Sequence, residues 1–384
     1  MKYLFTLLLV PILISCGQKA DDTPKTEIDL KGAIESSQRE KIEQYCDQLS
    51  YVKLETRDSV LLRYPFFTFT DHSIIAYEGY SIYQFSYEGK FLKSYRRHGQ
   101  GPKDISAINR VLWNKDRKEI YVTDGVQSKI MTFDEDLNFI TEREFRIPGY
   151  QYVTKDNYIY CGLAKDNYRN KDSDLILIRY DVLTEKKEIL QRSKMTQHEA
   201  NDFPIFSFGT NLYQHDSIFY YKEHRSDSIF YFTENNPIGK FAYHINIGEI
   251  YPEEIDYRHE NRRDILNYID IGGCLDLGNY LLINYSYQEY KLSNAIFNKR
   301  TGKTTCLESP EFNTLDYGAP IAIYKEAKER MYYASWINAE SLLDPDFISR
   351  VKRHNSYNSQ LLDIISKTTE DDNPILMFVT LKKQ

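Results

Sequence analysis

One unit is written twice between Phe66 and Phe145, and this duplication narrows the fold more than any other feature of the chain. The first copy runs Ser73-Ile74-Ile75-Ala76-Tyr77, a short gap, Ser81-Ile82-Tyr83-Gln84-Phe85, then Glu88-Gly89-Lys90-Phe91-Leu92-Lys93. The second runs Glu119-Ile120-Tyr121-Val122-Thr123, a gap, Lys129-Ile130-Met131-Thr132-Phe133, then Leu137-Asn138-Phe139-Ile140-Thr141. Phe85 to Phe133 and Phe91 to Phe139 both span 48 residues. Several short strands repeating at roughly 40 to 50 residues are the mark of a β-propeller blade.

The pattern extends along the chain. Phe85, Phe133, Tyr180, Phe232, Phe297 and Phe378 each close a strand-like run that reads as the third strand of a blade. The runs before them, centred on Ile75, Tyr121, Ile159, Phe219, Leu282 and Tyr332, read as second strands. Two strands stand outside the repeats: Leu49 to Thr56 alternates apolar and polar, and Pro374 to Leu381 is the other. Pairing them would close a ring and hide the edges that lone strands expose. The expected fold is all-β, a six-bladed β-propeller over 49–384, closed by its N- and C-terminal strands.

Successive anchors lie 48, 47, 52, 65 and 81 residues apart, so extra chain enters late. One insertion covers 250–268, where Pro252-Glu253-Glu254 reads as a helix start. The other covers 338–373, where Asp344-Pro345-Asp346 precedes Phe347, Ile348, Val351, Leu361, Leu362, Ile364 and Ile365 at helical spacing. In a four-stranded antiparallel blade, second-to-third turns and blade-to-blade links leave from the same face. Both insertions are therefore expected on one face, and that face is the candidate for function.

The N-terminus reads as an export signal. Met1-Lys2 is followed by an apolar run from Leu4 to Ile14, too short for the roughly 20 residues that span a bilayer. It ends Leu13-Ile14-Ser15-Cys16-Gly17, which resembles the bacterial lipobox, with Cys16 as the lipidated residue. Residues 1–15 are then the signal and 16–48 the lipidated Cys and tether, polar and without period to about Ser37. Gly17-Gln18-Lys19-Ala20-Asp21-Asp22 resembles, with an interruption at Ala20, the surface-export signal of some Gram-negative lipoproteins. The protein is expected on the outer membrane, held by its lipid, in the periplasm or at the cell surface.

The formal charge of -7 and the absence of a long basic run argue against nucleic acid as a partner. Cys46, Cys161, Cys274 and Cys306 lie far apart and lack metal or redox spacing; one disulfide among them is compatible with an oxidising compartment.

At Tyr95-Arg96-Arg97-His98-Gly99-Gln100-Gly101-Pro102, with Glu88-Gly89-Lys90-Phe91 before it and Tyr51-Val52-Lys53-Leu54-Glu55-Thr56 at the start, the chain resembles the six-bladed β-propeller lipoproteins, relatives of NHL- and TolB-like propellers. The resemblance covers residue 49 to the C-terminus and implies an exported, anchored binding or scaffold protein. The family pattern Gly-Pro-Gly-Glu is here Gly101-Pro102-Lys103-Asp104.

No zinc-protease, P-loop, nucleophile-elbow or EF-hand motif occurs. Arg96, Arg97 and His98, with Gln100, are the sharpest local feature and suit a carboxylate, sulfate or phosphate, although a charged turn explains them as well. Tyr80, Gln127, Tyr168, His224, Arg225, Tyr287 and Trp336 fall in loops of the same face, and their rings suit a glycan or peptide; packing is the plainer reading in so Tyr-rich a chain. Asp124, Asn167, Glu223 and Glu289 lie at second-strand ends, where lactonase-type propellers hold calcium; solvated loop residues are the plainer reading. The leading expectation is a membrane-anchored, non-catalytic propeller that binds a ligand, glycan, peptide or protein on its loop-rich face. A divalent-metal hydrolase or lactonase at the channel mouth and a structural part of an envelope complex are the alternatives.

Overall fold

The computed structural model describes residues 26–147, 149–163, 175–192, 210–215, 217–223, 226–249, 267–288, 293–308, 325–328, 331–353 and 359–382. The segment before the first blade contributes β1 (Glu27–Asp29), α1 (Leu30–Glu35), β2 (Arg39–Glu40) and β3 (Cys46–Lys53). Blade 1 is β4 (Phe66–Phe69), β5 (Ser73–Glu78), β6 (Ser81–Ser86) and β7 (Phe91–Arg96). Blade 2 is β8 (Ile108–Asn114), β9 (Glu119–Asp124), β10 (Lys129–Asp134) and β11 (Phe139–Glu144). Blade 3 is β12 (Gly149–Lys155), β13 (Tyr158–Leu163), β14 (Leu175–Asp181) and β15 (Lys187–Arg192). Blade 4 is β16 (Asn211–His215), β17 (Ile218–Lys222), β18 (Ser228–Thr233) and β19 (Asn236–Asn246). Blade 5 is β20 (Asp270–Asp276), β21 (Tyr280–Ser286), β22 (Ser293–Asn298) and β23 (Thr304–Leu307). Blade 6 takes β24 (Lys325–Lys328), β25 (Met331–Ile337) and β26 (Ile375–Leu381) from the C-terminal end and β3 from the N-terminal end.

The protein is thus a six-bladed β-propeller closed as expected. β26 and β3 run antiparallel, with Ile375 opposite Lys53 and Met377 opposite Tyr51. All six third-strand aromatics are almost fully buried, from 0% for Phe85, Phe133 and Phe297 to 1% for Tyr180, Phe232 and Phe378. Each fills the wedge between neighbouring sheets, where a large flat ring contributes the most buried apolar area.

Among the described residues, neighbouring innermost strands form no ladder with each other, so their free backbone groups need other partners. Side chains supply them. Thr68 Oγ1 donates to the Val111 carbonyl at 2.7 Å and Thr154 Oγ1 to that of Trp113 at 2.6 Å. Gln151 Oε1 accepts the Leu212 N–H at 2.7 Å, and Asn211 Oδ1 accepts the Cys274 N–H at 3.1 Å. The Lys325 ammonium donates to the Phe67 carbonyl, joining blade 6 to blade 1.

The expected tether is shorter than residues 16–48. From Thr26 onward the chain is folded against the ring: β1 adds to β19 in parallel and β2 adds to β23 in parallel, giving blades 4 and 5 a fifth strand each. Ile28 and Leu30 are fully buried, and the Asp29 carboxylate caps α1 by accepting the Gly32 N–H at 3.0 Å. A strand of three residues shows no period, which is why this strap was invisible in the pattern.

The connection from β25 to β26 carries three helices, α2 (Ala339–Leu343), α3 (Pro345–Arg353) and α4 (Ser359–Ser366). Asp344 caps α3 at the expected start, accepting the Phe347 N–H at 2.8 Å. Phe347, Val351, Leu361 and Ile365 are buried in one core with Tyr51, Leu282 and Met377. The helices therefore lean over the outer edge of blade 6. Gln360 on α4 accepts the Tyr51 N–H and donates to the Tyr51 carbonyl at 3.0 Å, covering the edge of β3. Of the 250–268 insertion, residues 250–266 lie outside the described residues. No helix among the described residues is long and apolar enough to cross a membrane.

Candidate functional site

The link from β7 to β8 carries Arg97 to Ala107 and is built around two carboxylates. Asp124, 1% exposed, accepts the N–H groups of Ser106 at 2.7 Å and of Val126 and Gln127 at 3.0 Å. Gln127 Nε2 donates to the Gly99 carbonyl at 3.1 Å and to Ser106 Oγ at 2.9 Å. Asp104 accepts the Gly101 N–H at 3.2 Å and lies 3.4 Å from Arg97 Nε. Asp124 and Gln127 thus hold the loop in shape, and the expected metal-ligand position at Asp124 is taken by N–H donors. Lys103, at φ +64°, occupies a left-handed turn position that favours glycine, where the family pattern has one.

On this scaffold several expected ligand-binding residues do come together. Arg97, His98 and Gln100 are exposed. The His98 ring stacks on Tyr80 with centroids 4.3 Å apart. Arg96, the last residue of β7, donates to the Ser59 carbonyl at 2.9 Å and lies 5.9 Å over the Tyr83 ring. Trp336 is placed differently: it lies within β25, half-buried against the blade 6 and blade 1 core, rather than in a rim loop. Tyr287 follows β21 and packs partly against the core between blades 4 and 5. Glu223 follows β17, and its backbone carbonyl accepts the Lys222 ammonium at 3.1 Å. Tyr168, His224 and Arg225, with Asn167 and Glu289, lie outside the described residues, as does Cys16.

Antiparallel alternation puts the Tyr80 turn, the Gln127 turn, the β7–β8 link and the starts of all six innermost strands at one end of the ring. Tyr64 and Phe66 join them there, 74% and 61% exposed, and the Phe66 ring stacks on Tyr77 with centroids 5.6 Å apart. Glu78 ends β5 at the same face, and its carboxylate accepts the N–H groups of Arg63 and Tyr64 at 3.1 and 2.9 Å. The cations of the innermost strands include Arg110 on β8 and Lys325 on β24, whose pKa burial and the charge of Arg110 push down to about 8. Tyr64, Phe66, Arg110 and Lys325 escaped the sequence reading. For Phe66, Arg110 and Lys325 the one signal was an apolar or charged residue at an innermost-strand position, which is readable only once first strands are assigned.

The four described cysteines, Cys46, Cys161, Cys274 and Cys306, are free and buried. Burial pushes the Cys274 thiol up to about 12, so it behaves as a small apolar residue. Among the described residues, no three His, Cys, Asp or Glu side chains gather as a metal-holding group.

Solved structures share this architecture. A protein from Bacteroides fragilis described as exported matches with a TM-score of 0.66 and 16% identity, over 93% of this chain and 99% of that one. A member of the DUF4221 family from Bacteroides vulgatus matches with a TM-score of 0.52 and 11% identity, over 88% of this chain and 97% of that one. At such identities the likeness shows the fold alone. No curated protein matches. The model of one family, a domain of unknown function, covers residues 25–380, and by that match the chain belongs to the DUF4934 family.

Proposed function

We propose that this protein is an exported, lipid-anchored binding protein that receives a ligand or protein partner, without catalysis, on the face where Tyr64, Phe66, Tyr80 and Arg96 to Gln100 converge. The observation that carries the reading is the division of labour on that face. Exposed rings and cations point outward, while the carboxylates that metal or acid–base chemistry would need, Glu78 and Asp124, accept backbone N–H groups. Aromatic rings beside arginine are the residues that dominate binding surfaces.

The export half of the reading rests on the lipobox at Cys16 and on the solved neighbour described as exported. Kinship with NHL- and TolB-like lipoprotein propellers belongs to the same proposal. With folding from Thr26, only nine residues, ten Cα-to-Cα steps, separate the strap from Cys16. Extended, they reach about 35 Å. Blade 4, which carries β1, would then hang close to the bilayer.

A glycan and peptide array probed with the chain from residue 26 tests the binding face. Replacing Tyr64, Phe66 and Arg97 together by Ala is expected to abolish whatever signal the wild type gives. Unchanged binding would place the site elsewhere. For the anchor, Cys16→Ala is expected to move the protein from the membrane to the soluble fraction, and retention at the membrane would refute lipidation there.

A further inference from the structure

We propose that the cleft between β3, α4 and the β6–β7 turn receives an extended peptide segment of a partner protein, which adds to β3 as a further strand of blade 6. The cleft shares no lining residue with the loop-bearing face and stands independently of the binding reading above.

The argument begins with the outer edges of the blades. Blades 4 and 5 each take a fifth strand, β1 against β19 and β2 against β23. Blade 6 ends at β3, which pairs on its inner side with β26. On the outer side Tyr51 presents its N–H and C=O, and the single amide of Gln360 meets both, at 3.4 and 3.0 Å. One side-chain amide thus holds the place that a peptide group of a further strand would take. Its bond from the Tyr51 N–H is long, and Gln360 is exposed, so the side chain can swing out into water at little cost. In an antiparallel pair every second residue turns its backbone groups away from the partner strand. Tyr51 is such a residue, and an incoming strand that bonds there displaces one side chain.

A cleft of about 500 Å³ runs along this edge, a size typical of ligand sites. Ser50, Tyr51, Val52 and Lys53 all line it. Successive strand residues point to opposite faces, so a cleft that touches four in a row follows the edge of the strand, over about 13 Å. Ile364 of α4 packs on the core that holds Tyr51, and Tyr87 of the turn packs with Val52 on the core of the opposite face. The two elements therefore flank the edge from either side. The hollow on the Val52 side is apolar: Phe378, Met331 and Tyr87 share its core. The Tyr87 hydroxyl lies 2.8 Å from the Thr70 carbonyl and 3.0 Å from that of Ala327, which fixes the ring. The Lys328 ammonium sits 3.5 Å over this ring, and Glu88 follows on the turn, so both signs of charge border the cleft. An extended peptide uses every part of this arrangement. Its backbone bonds to Tyr51, every second side chain enters the apolar hollow, and the polar ones between face water. In strand addition of this kind main-chain bonds supply affinity and alternate pockets supply specificity.

The test uses the chain from residue 17 and fluorescence anisotropy of labelled octapeptides that alternate valine or isoleucine with threonine, lysine or glutamate. At least one is expected to bind. The same peptide is then N-methylated at every second residue, in each of the two possible sets. Only one set aims its N–H groups at β3, so one should abolish binding and the other leave it within about threefold. Gln360→Ala opens the edge and should tighten binding about threefold or more while lowering stability, an opposition that damage to the fold would not produce. Ile364→Arg fills the cleft from α4 and should weaken binding about tenfold or more. Hydrogen exchange read by mass spectrometry should slow over residues 49–53 when the peptide is bound. Failure of every peptide to bind wild type and Gln360→Ala, equal effects of the two methylated sets, or protection elsewhere with β3 unchanged would overturn the proposal. Loss of peptide binding on replacing Tyr64, Phe66 and Arg97, with Ile364→Arg unaffected, would assign the peptide to the loop-bearing face and refute this inference alone.

Discussion

Gly89 and Gly79 both hold positive φ, at +84° and +61°, but their surroundings differ. A Cβ on Gly89 would lie 2.0 Å from the Lys53 carbonyl oxygen, whereas nothing lies within 4 Å of one on Gly79. Gly79→Ala is expected to cost about 1 kcal/mol, the left-handed strain alone, and Gly89→Ala at least about 2 kcal/mol more, read from urea unfolding. His244 has a different role. Its Nδ1 lies 2.7 Å from Glu27 and its Nε2 3.2 Å from Asp227, and the Glu27 hydrogen bond chiefly holds its proton and raises its pKa. The stabilisation is complete below the unfolded value of about 6.5 and is lost as pH rises through the higher folded value. Amide exchange at Ile28, corrected for intrinsic rate, should therefore quicken as pH passes from mildly acidic through neutral, and His244→Gln should remove that dependence. Residue by residue, the sequence made Arg96 to Gln100 visible through the Gly-x-Gly-Pro spacing. It could not show that Asp124 is enclosed, because one of its three backbone donors, Ser106, arrives from the neighbouring β7–β8 link.

Between elements, short polar clasps hold what apolar packing leaves loose. Asn373, 1% exposed, donates to the carbonyls of Glu55 and Val60 at 2.9 and 2.8 Å and accepts the Leu62 N–H at 2.8 Å. It pins the β3–β4 link to the entry of β26. Asn373→Ala strands three buried backbone groups and should cost about 3 kcal/mol. Gln360→Ala frees only the half-buried edge at Tyr51, where water can substitute, and should cost about 1 kcal/mol. Chemical denaturation of both variants checks the order, and a larger loss for Gln360 would contradict this account. The helices of the β25–β26 connection were legible because Phe347, Val351, Leu361 and Ile365 repeat at four-residue spacing. Their outward lean was not, since the surface they cover is assembled from β3 and blade 5, far away in the chain.

The whole ring depends on its two chain ends. A chain starting at residue 26 keeps every described strand and should fold with an unchanged melting temperature. Starting at residue 38 removes β1 and α1 and exposes Ile245 and its neighbours, so it should fold but melt lower. Starting at residue 49 also removes β2 and the first three residues of β3, leaving blade 6 without a complete outer strand, and should give little soluble protein. Equal stability of all three would show that the strap is dispensable. Blade number, the six buried aromatics and the closing pair were determined by sequence alone, because a wedge-filling ring must recur once per sheet and alternation reports which face is buried. Tertiary structure alone decided where the strap lies and which surface the β25–β26 helices cover. Parallel addition of β1 and β2 is made by backbone hydrogen bonds that any side chain permits.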